Sequence, residues 1–407
     1  MKILIYGINY APELTGIGKY SGEMGAFFAA AGHEVEVITA PPYYPHWAVD
    51  EAYRGRGWHR EEREGVTVLR CPLYVPGEVT GARRIVHELS FLLSSLRWWI
   101  PRYFRRYDVI LVVSPPFHLG FPALLHKWLR GSRVVNHIQD LQVDAARDLK
   151  IIRNRALLRL LEGAERFLLR RMTWVSTISS GMRDKIIAKG VPADRLLMFR
   201  NWVDGKTVRP VAREDSLRGE WGYGPADKVV LYAGNLGEKQ GLPNVLDLAA
   251  RLRDRRPDVR FVIVGEGGTK EALVRRATAE GLDNVRFLPL QPLDKLAASL
   301  GSADAHLILQ LRGAADLVMP SKLTNILAVD GHALITAEPG TTLYDETARY
   351  RLGTLAEPEN LDAMEERLLA ILDGHCAGDA DGADHYVEHQ LNKTQILSAY
   401  LDALNNA

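Results

Sequence analysis

Two lysines in this 407-residue chain stand beside turns of a kind that holds phosphate. Lys239 lies in "YAGNLGEKQGLPNVLDLA" (232–249), where an apolar run ends, the backbone turns on Gly234 and Gly237, and a helical stretch opens near Gly241. Glycine lets a backbone bend close to a ligand, and the free amides and dipole at a helix start favour an anion. Asn235 adds a neutral donor to the same turn. Lys322 lies in "MPSKLTNILAVDGHALITA" (319–337), where Pro320 and Ser321 mark a helix start with the serine as cap. A lysine in that first turn opposes the helix dipole, so it either meets an anion or points to solvent. Gly265 to Gly268, in "RFVIVGEG", repeats the pattern of a strand followed by a glycine turn.

The N-terminal half offers polar groups at the ends of apolar runs. "GINYAPELTGIGKYSGEM" (7–24) follows "MKILIY" and carries Glu13, Thr15, Gly16 and Gly18. Its glycines lack the G-x-G-x-x-G spacing of a nicotinamide dinucleotide site. His137 ends "RVVNH", with Asp140 and Gln142 close behind, and Tyr43 and Tyr44 lie in "APPYYPHW". Taken alone none of these is specific. A single histidine after a strand is commonly structural, and Gly18 could serve only to let a helix pack tightly on a strand.

The elements that must position these residues alternate. "KILIYG", "EVEVITA", "VTVLRC", "DVILVVS" and "RVVNHIQD" read as strands, with helices in "YSGEMGAFFAAAGH" and "FPALLHKWLRG". After a polar break at 199–215 the plan repeats: "KVVLYAG", "RFVIVGEG", "VRFLPL", "AHLILQL" and "HALITA" as strands between amphipathic helices. "VEHQLNKTQILSAYLDALNNA" reads as one terminal helix. Interleaved strands and helices imply parallel sheets covered on both faces. The expected class is therefore α/β, with two doubly wound domains facing each other across a cleft. In such sheets ligands bind beyond the carboxyl ends of the strands, which is where the candidate residues fall.

Composition limits the partners. Formal net charge is +1, with 25% charged and 47% apolar residues, so no strong overall field draws the chain to nucleic acid. Cys71 and Cys376 are far apart, giving neither a disulfide framework nor a zinc spacing and fitting a reducing cytosol. No apolar stretch reaches the roughly 18 to 20 residues of a membrane span. "DADGAD" (379–384) lacks the full ligand pattern of a calcium loop and reads as a solvated linker.

The stretches "INYAPELTGIGKY", "TAPPYYP", "HIQDLQVDAA", "YAGNLGEKQGL" and "PSKLTNILA" together resemble the retaining glycosyltransferases of the GT-B fold, in the branch of colanic-acid WcaI-like proteins. The resemblance spans nearly the whole chain. It implies an acceptor-binding Rossmann-like domain over 1–205 and a nucleotide-sugar-binding one over 206–385, with 386–407 packing back on the first. It implies transfer of a sugar from a GDP- or UDP-sugar to a growing, lipid-linked glycan, with retention and without a metal. Gly16 and Gly18 would lie at the donor phosphate and anomeric carbon. His137 would touch the donor sugar, and Gly234, Asn235, Gly237, Lys239, Gly265, Ser321 and Lys322 would hold the diphosphate. The backbone around Phe287–Leu290, including Leu288, would meet the base. Glu13, Tyr43, Tyr44 and Asp140 would face the acceptor. Most family members carry two glutamates seven residues apart near the "PSK" turn. Here Asn325 takes the place of the second, ribose-binding one, and no glutamate lies near residue 317.

"RRIVHELSFLLSSLRWWIPRYFRRYD" (83–108) sets arginines among Trp98, Trp99, Tyr103 and Phe104, with Phe91, Leu92, Leu96 and Trp99 at helical spacing. Such a helix either lies in a membrane interface, suiting a cytoplasmic enzyme working on the inner face of the cytoplasmic membrane, or packs on the sheet with snorkelling arginines. Two other functions remain open at this point: a nucleotide-sugar epimerase of the same fold, and a non-catalytic nucleotide-sugar-binding partner.

Overall fold

A computed structural model describes residues 1–13, 16–78, 80–148, 152, 154–203, 208–237, 240–312, 321–375 and 380–406. The chain divides into two units, Met1–Phe199 with Leu397–Ala407, and Arg200–Ile396.

The first unit is built on strands β1 (Lys2–Tyr6), β2 (Glu34–Thr39), β3 (His59–Arg63), β4 (Val66–Arg70), β5 (Val109–Ser114), β6 (Arg133–Ile138), β7 (Trp174–Thr177) and β8 (Leu196–Met198). Their order is β3-β4-β2-β1-β5-β6-β7-β8. All pair in parallel except β3, which runs antiparallel to β4 at the edge. The helices are α1 (Gly16–Ala30), α2 (Gly81–Arg102), α3 (Gly120–Arg130), α4 (Gln142–Asp148), α5 (Arg155–Arg171) and α6 (Ser180–Ala188). Strands such as "KILIY" and "VILVVS" are nearly continuous apolar runs because both faces of the sheet are covered. Strand order reverses between β1 and β5, so the loops after those strands flank the switch point where such sheets take their ligands.

The second unit carries β9 (Lys228–Ala233), β10 (Val259–Val264), β11 (Val285–Leu288), β12 (Ala305–Ile308), β13 (Ala333–Thr336) and β14 (Thr354–Ala356), in the order β11-β10-β9-β12-β13-β14 and all parallel. Around them lie α7 (Pro243–Leu252), α8 (Lys270–Ala279), α9 (Leu296–Leu300), α10 (Ser321–Leu327), α11 (Thr342–Tyr350), α12 (Leu361–Leu372) and α13 (Ala380–Gln390), and α14 (Lys393–Asn406) follows, passing from the second unit to the first at Leu397. Side chains of β9 alternate between two cores. Val230 and Tyr232 pack with Leu246 and Phe261 on one face, and Val229 and Leu231 with Val262 and Leu323 on the other. The switch point here lies between β9 and β12.

Two sequence expectations change. The terminal segment is two helices rather than one. Asn392 breaks it by capping α14, its side chain accepting from Gln395 N at 3.1 Å, while Val203 N donates to Leu391 O at 3.0 Å. Only the part from Leu397 on belongs to the first unit, where Tyr400 stacks on Phe199 with ring centroids 3.7 Å apart. The stretch read as a solvated linker at 379–384 runs into α13, whose backbone is helical from Ala380. On α2, for which the sequence left a membrane-facing and a sheet-packed reading open, Phe91 and Trp99 of the row named from helical spacing are fully buried, Trp99 packing edge-on against Tyr6, while Leu92 and Leu96 are half-buried.

Candidate functional site

In the second unit the carboxyl end of β9 carries a lysine set on an aromatic ring. Lys322, in the first turn of α10, reaches back over Tyr232. Its Nζ lies 4.0 Å from the ring centroid and donates to Tyr232 Oη at 2.6 Å. The phenol in turn donates to Asn235 O at 2.7 Å, tying the glycine turn to the lysine. Gly234 makes the arrangement fit. Its φ is +136°, and a Cβ there would lie 2.7 Å from Lys322 Nζ and closer to the stem. Lys322 therefore does not point to open solvent, one of the two outcomes that its place in the helix allows. It is half-buried, and no carboxylate pairs with it among the described residues. Burial pushes its pKa down to about 8, so at neutral pH the ammonium is still mostly charged. A half-buried cation with no carboxylate partner among the described residues suits an anion.

Asn325 lies one turn further along the same face of α10, half-buried. Asn235 is exposed at the turn, and Gly237 leaves room for the Gln240 and Asn235 side chains. Gly265 has a packing role: a Cβ there would overlap Gly234 O, because the two turns are knit by Gly234 N to Val264 O at 2.8 Å and Leu236 N to Glu266 O at 2.9 Å. Leu288 ends β11 half-buried, its carbonyl accepting from Gly265 N at 3.1 Å. Ser321 begins α10. Lys239, Thr15 and Pro320 lie outside the described residues, as does the side chain of Ser321.

In the first unit the loop after β1 is organised by Glu13. Its buried carboxylate accepts from the backbone N–H groups of Tyr43 and Tyr44, both at 3.1 Å, and from Asn9 Nδ2 at 3.0 and 3.2 Å. Burial raises its pKa against the pull of these bonds. The loop after β2 is thus hung on the loop after β1. Gly18 serves this contact: a Cβ would lie 2.6 Å from Glu13 Cβ and overlap its carboxylate. Gly22 and Gly25 continue the close face of α1 against Ala11 and Tyr10. So Gly18 faces protein, and the room it provides is filled by Glu13. Gly16 opens α1 with φ +60° and is exposed beside the Tyr44 ring.

His137 is placed elsewhere. It is 2% exposed; its Nδ1 bonds Ser176 Oγ at 3.0 Å and its Nε2 accepts from Gln139 Nε2 at 2.8 Å. Phe199 packs edge-on at 4.9 Å, and Ser176 bonds Tyr400 Oη at 2.9 Å. Burial lowers the His137 pKa to about 3, so the ring is neutral. Both nitrogens are engaged by the protein, and the residue works as an interior anchor. Asp140, beyond β6, is exposed.

Sequence reasoning missed a second polar group at the sheet edge. Glu88 of α2 is 6% exposed and accepts from Gln142 Nε2 at 2.8 and 3.0 Å and from Arg84 Nε at 3.1 Å. Neighbouring His87 stacks edge-on with Tyr43 at 4.7 Å and donates through Nδ1 to Tyr74 O. Burial lowers the pKa of His118, after β5, against the opposing pull of the Glu88 charge, and its Nε2 is buried without a partner. The signal was present as Glu88 inside an amphipathic helix, but only tertiary contact sets it beside Gln142. Tyr232 was missed because it reads as an ordinary strand residue.

Among the described residues no cluster of three or more histidine, cysteine or carboxylate side chains is placed to hold a metal.

The glycosyl transferase 4-like domain family matches residues 15–202, and the glycosyl transferases group 1 family matches residues 214–380. WcaI of Escherichia coli K12, assigned as a colanic acid biosynthesis glycosyl transferase, is 44% identical over 99% of both chains. A D-inositol 3-phosphate glycosyltransferase of Pseudarthrobacter chlorophenolicus is 29% identical over 92% of this chain and 81% of its own. Among solved structures, sucrose-phosphate synthase of Thermosynechococcus elongatus superposes with TM-score 0.75 at 14% identity, covering 100% of this chain and 98% of the other. Anabaena HepE, solved with UDP and glucose, superposes with TM-score 0.71 at 16% identity over the whole of both chains, a likeness of fold. Two Rossmann-like units, both family matches and near full-length identity to one relative lead to one conclusion: the protein belongs to the glycosyltransferases of the GT-B fold, in their WcaI-like branch.

Proposed function

We propose that this glycosyltransferase moves a hexosyl unit from a nucleotide-diphosphate sugar, GDP- or UDP-linked, to a growing, lipid-linked exopolysaccharide with retention of configuration. The observation that carries this reading is Lys322: a half-buried ammonium, held by Tyr232 beside Gly234, with no carboxylate partner among the described residues. A diphosphate supplies the missing anion. As the sugar–oxygen bond breaks, negative charge grows on the leaving phosphate, and a fixed cation there lowers the barrier without a metal. Asn325 is positioned to hydrogen-bond the nucleotide without adding charge, and Lys239 supplies a second cation. On the acceptor side we assign the loops held by Glu13, with Tyr43, Tyr44 and Asp140, and add Glu88, Gln142 and His118. In the retaining route the leaving phosphate takes the acceptor proton on the face it departs from, so Glu13 organises the loop and is not the base. The relative named for colanic acid biosynthesis supports a polysaccharide acceptor.

The test incubates purified protein with radiolabelled GDP- and UDP-sugars, with and without lipid-linked acceptor from membranes, in the presence of a chelator. Acceptor-dependent transfer, with the anomeric configuration of the donor kept by NMR, is the expected result. Conversion of the sugar without acceptor would mean an epimerase, and binding without turnover would mean a non-catalytic partner.

A further inference from the structure

Three buried polar atoms without a hydrogen-bond partner among the described residues gather in the first unit: His87 Nε2 on α2, His118 Nε2 in the turn after β5, and Gln142 Oε1 at the start of α4. Glu88 joins them. Gln142 donates through Nε2 to both Glu88 oxygens, the His118 ring bonds the Glu88 backbone carbonyl, and His87 precedes Glu88 in the chain. Tyr43, on the loop hung from Glu13, packs edge-on against His87 and lies in the field of both the Glu13 and the Glu88 carboxylates. The group stands at the end of the sheet, beside the reversal of strand order between β1 and β5. A buried polar atom without a partner gives up its water for nothing, so folded chains leave few of them. A single one is readily met by a water. Three around one buried carboxylate, at the place where such sheets take ligands, mark a site kept for a ligand.

The hydrogen bonds already made decide what is missing. His87 donates through Nδ1 to Tyr74 O and His118 donates to Glu88 O, so each Nε2 carries a bare lone pair, and burial keeps both rings neutral. Gln142 spends its N–H groups on Glu88 and leaves its carbonyl oxygen open. The open valences are therefore acceptors, and Glu88 adds the remaining lone pairs of its carboxylate. What fits is a set of O–H donors. Charge narrows the choice further. Glu13 and Glu88 are both buried, and Arg84 is the one cation bonded to either of them among the described residues. A ligand carrying phosphate or carboxylate would be repelled, whereas a neutral sugar offers several hydroxyls at once. The Tyr43 and Trp47 rings, 5.6 Å apart, give an apolar flank that suits the C–H faces of a sugar.

We propose that Glu88, His118 and Gln142, with His87 beside them, form a subsite that takes one neutral sugar ring of the acceptor by its hydroxyl groups and turns away acidic sugars. That this sugar belongs to the acceptor rests on the glycosyl-transfer reading. The subsite and its preference rest on the open acceptors and the two carboxylates alone. Glu88 and His118 are then specificity-determining residues: they choose which sugar ring is held, while the loop hung from Glu13 supplies the wall beside it.

The test is saturation-transfer NMR without donor, using the methyl glycosides of glucose, galactose and mannose and, as the acidic probe, that of glucuronic acid. The native chain, Glu88→Gln and His118→Phe are compared. At least one neutral glycoside should bind the native chain, and the glucuronoside should not. His118→Phe should weaken that binding by at least about tenfold. Glu88→Gln keeps the shape and removes the charge, so it should weaken the neutral glycoside and narrow the gap to the glucuronoside. Both variants should melt close to the native temperature and bind nucleotide diphosphate as the native chain does. No binding of any neutral glycoside, a glucuronoside that binds as tightly as they do, or variants that bind like the native chain would overturn the proposal. Because no turnover is read, a chain that holds neutral glycosides in this way but transfers nothing would refute the transfer reading and leave the subsite standing.

Discussion

Gly18→Ala places a methyl carbon 2.6 Å from Glu13 Cβ, with the carboxylate also in its way. The helix backbone and the loop after β1 are both fixed, so the strain falls on Glu13. Overpacking of this kind costs about 1 to 3 kcal/mol. If Glu13 swings aside, the Tyr43 and Tyr44 amides lose their acceptor, at about 1 to 3 kcal/mol for a buried group left unpaired. Against this, replacing glycine by alanine in a helix gains about 1 kcal/mol. By either route the net loss should be about 0 to 2 kcal/mol, confined to the first unit. For a folding unit of this size that lowers its melting temperature by about 2 to 4 °C per kcal/mol. The assay is a double-mutant cycle by thermal unfolding: native, Gly18→Ala, Glu13→Gly and both. With Glu13 removed the added methyl has nothing to meet, so Gly18→Ala should become neutral or stabilising in that background, a coupling of about 1 to 3 kcal/mol. Turnover per folded molecule should fall far less than stability suggests. A Gly18→Ala protein of native melting temperature that has lost transfer would refute the packing argument and restore the reading in which Gly18 clears the anomeric carbon.

Other consequences follow from the same geometry. Nucleotide-diphosphate affinity should be flat up to about pH 7 and fall through about pH 8, by up to tenfold per unit, because the Lys322 charge that meets the anion is lost as pH rises; titration calorimetry across pH 6.5 to 9.5 reads this directly. Lys322→Arg should remove the alkaline fall, whatever it does to the affinity itself. Tyr232→Phe strips Lys322 of its acceptor and ring-edge hydroxyl, and should weaken diphosphate binding by about 1.5 to 3 kcal/mol while leaving nucleoside binding nearly unchanged. His137 is held neutral with its pKa depressed to about 3, so the unfolded chain binds the extra proton below its ordinary value near 6.5. The first unit should therefore lose stability as pH falls through about 6.5 towards 3, and His137→Leu should lower the melting temperature at neutral pH while sparing turnover per folded molecule.

The alternation of apolar runs and amphipathic helices was enough to read the α/β plan, because buried parallel strands such as β1, β5 and β10 have no polar alternation to confuse them. β3 escaped for the opposite reason. "HREER" is an edge strand whose charges keep it from pairing further, so nothing in its composition marks it as sheet. The break at Asn392 needed cap geometry, and the inward face of α2 needed the sheet it packs on. Within the site, the local motifs were legible: glycine turns at strand ends, and a lysine against its helix dipole. Their long-range partners were not. Tyr232 lies 90 positions from Lys322, and Tyr400 lies 224 positions from Ser176, so no local pattern could join them. The roles carried over for Gly18 and Gly265 rested on what glycine permits; the structure shows that the space they leave is taken by Glu13 and by Gly234 O.

Lys322 is the proposed contact for the donor diphosphate. Isothermal titration at pH 7 of native protein and Lys322→Met with UDP, GDP, uridine and guanosine tests this most directly. The native protein should bind one of the diphosphates well above its nucleoside. Lys322→Met, of native melting temperature or higher since it removes a buried charge, should lose about 1.5 to 3 kcal/mol for that diphosphate and almost nothing for the nucleoside. Equal affinity of the two proteins for the diphosphate, or equal losses for diphosphate and nucleoside, would contradict it.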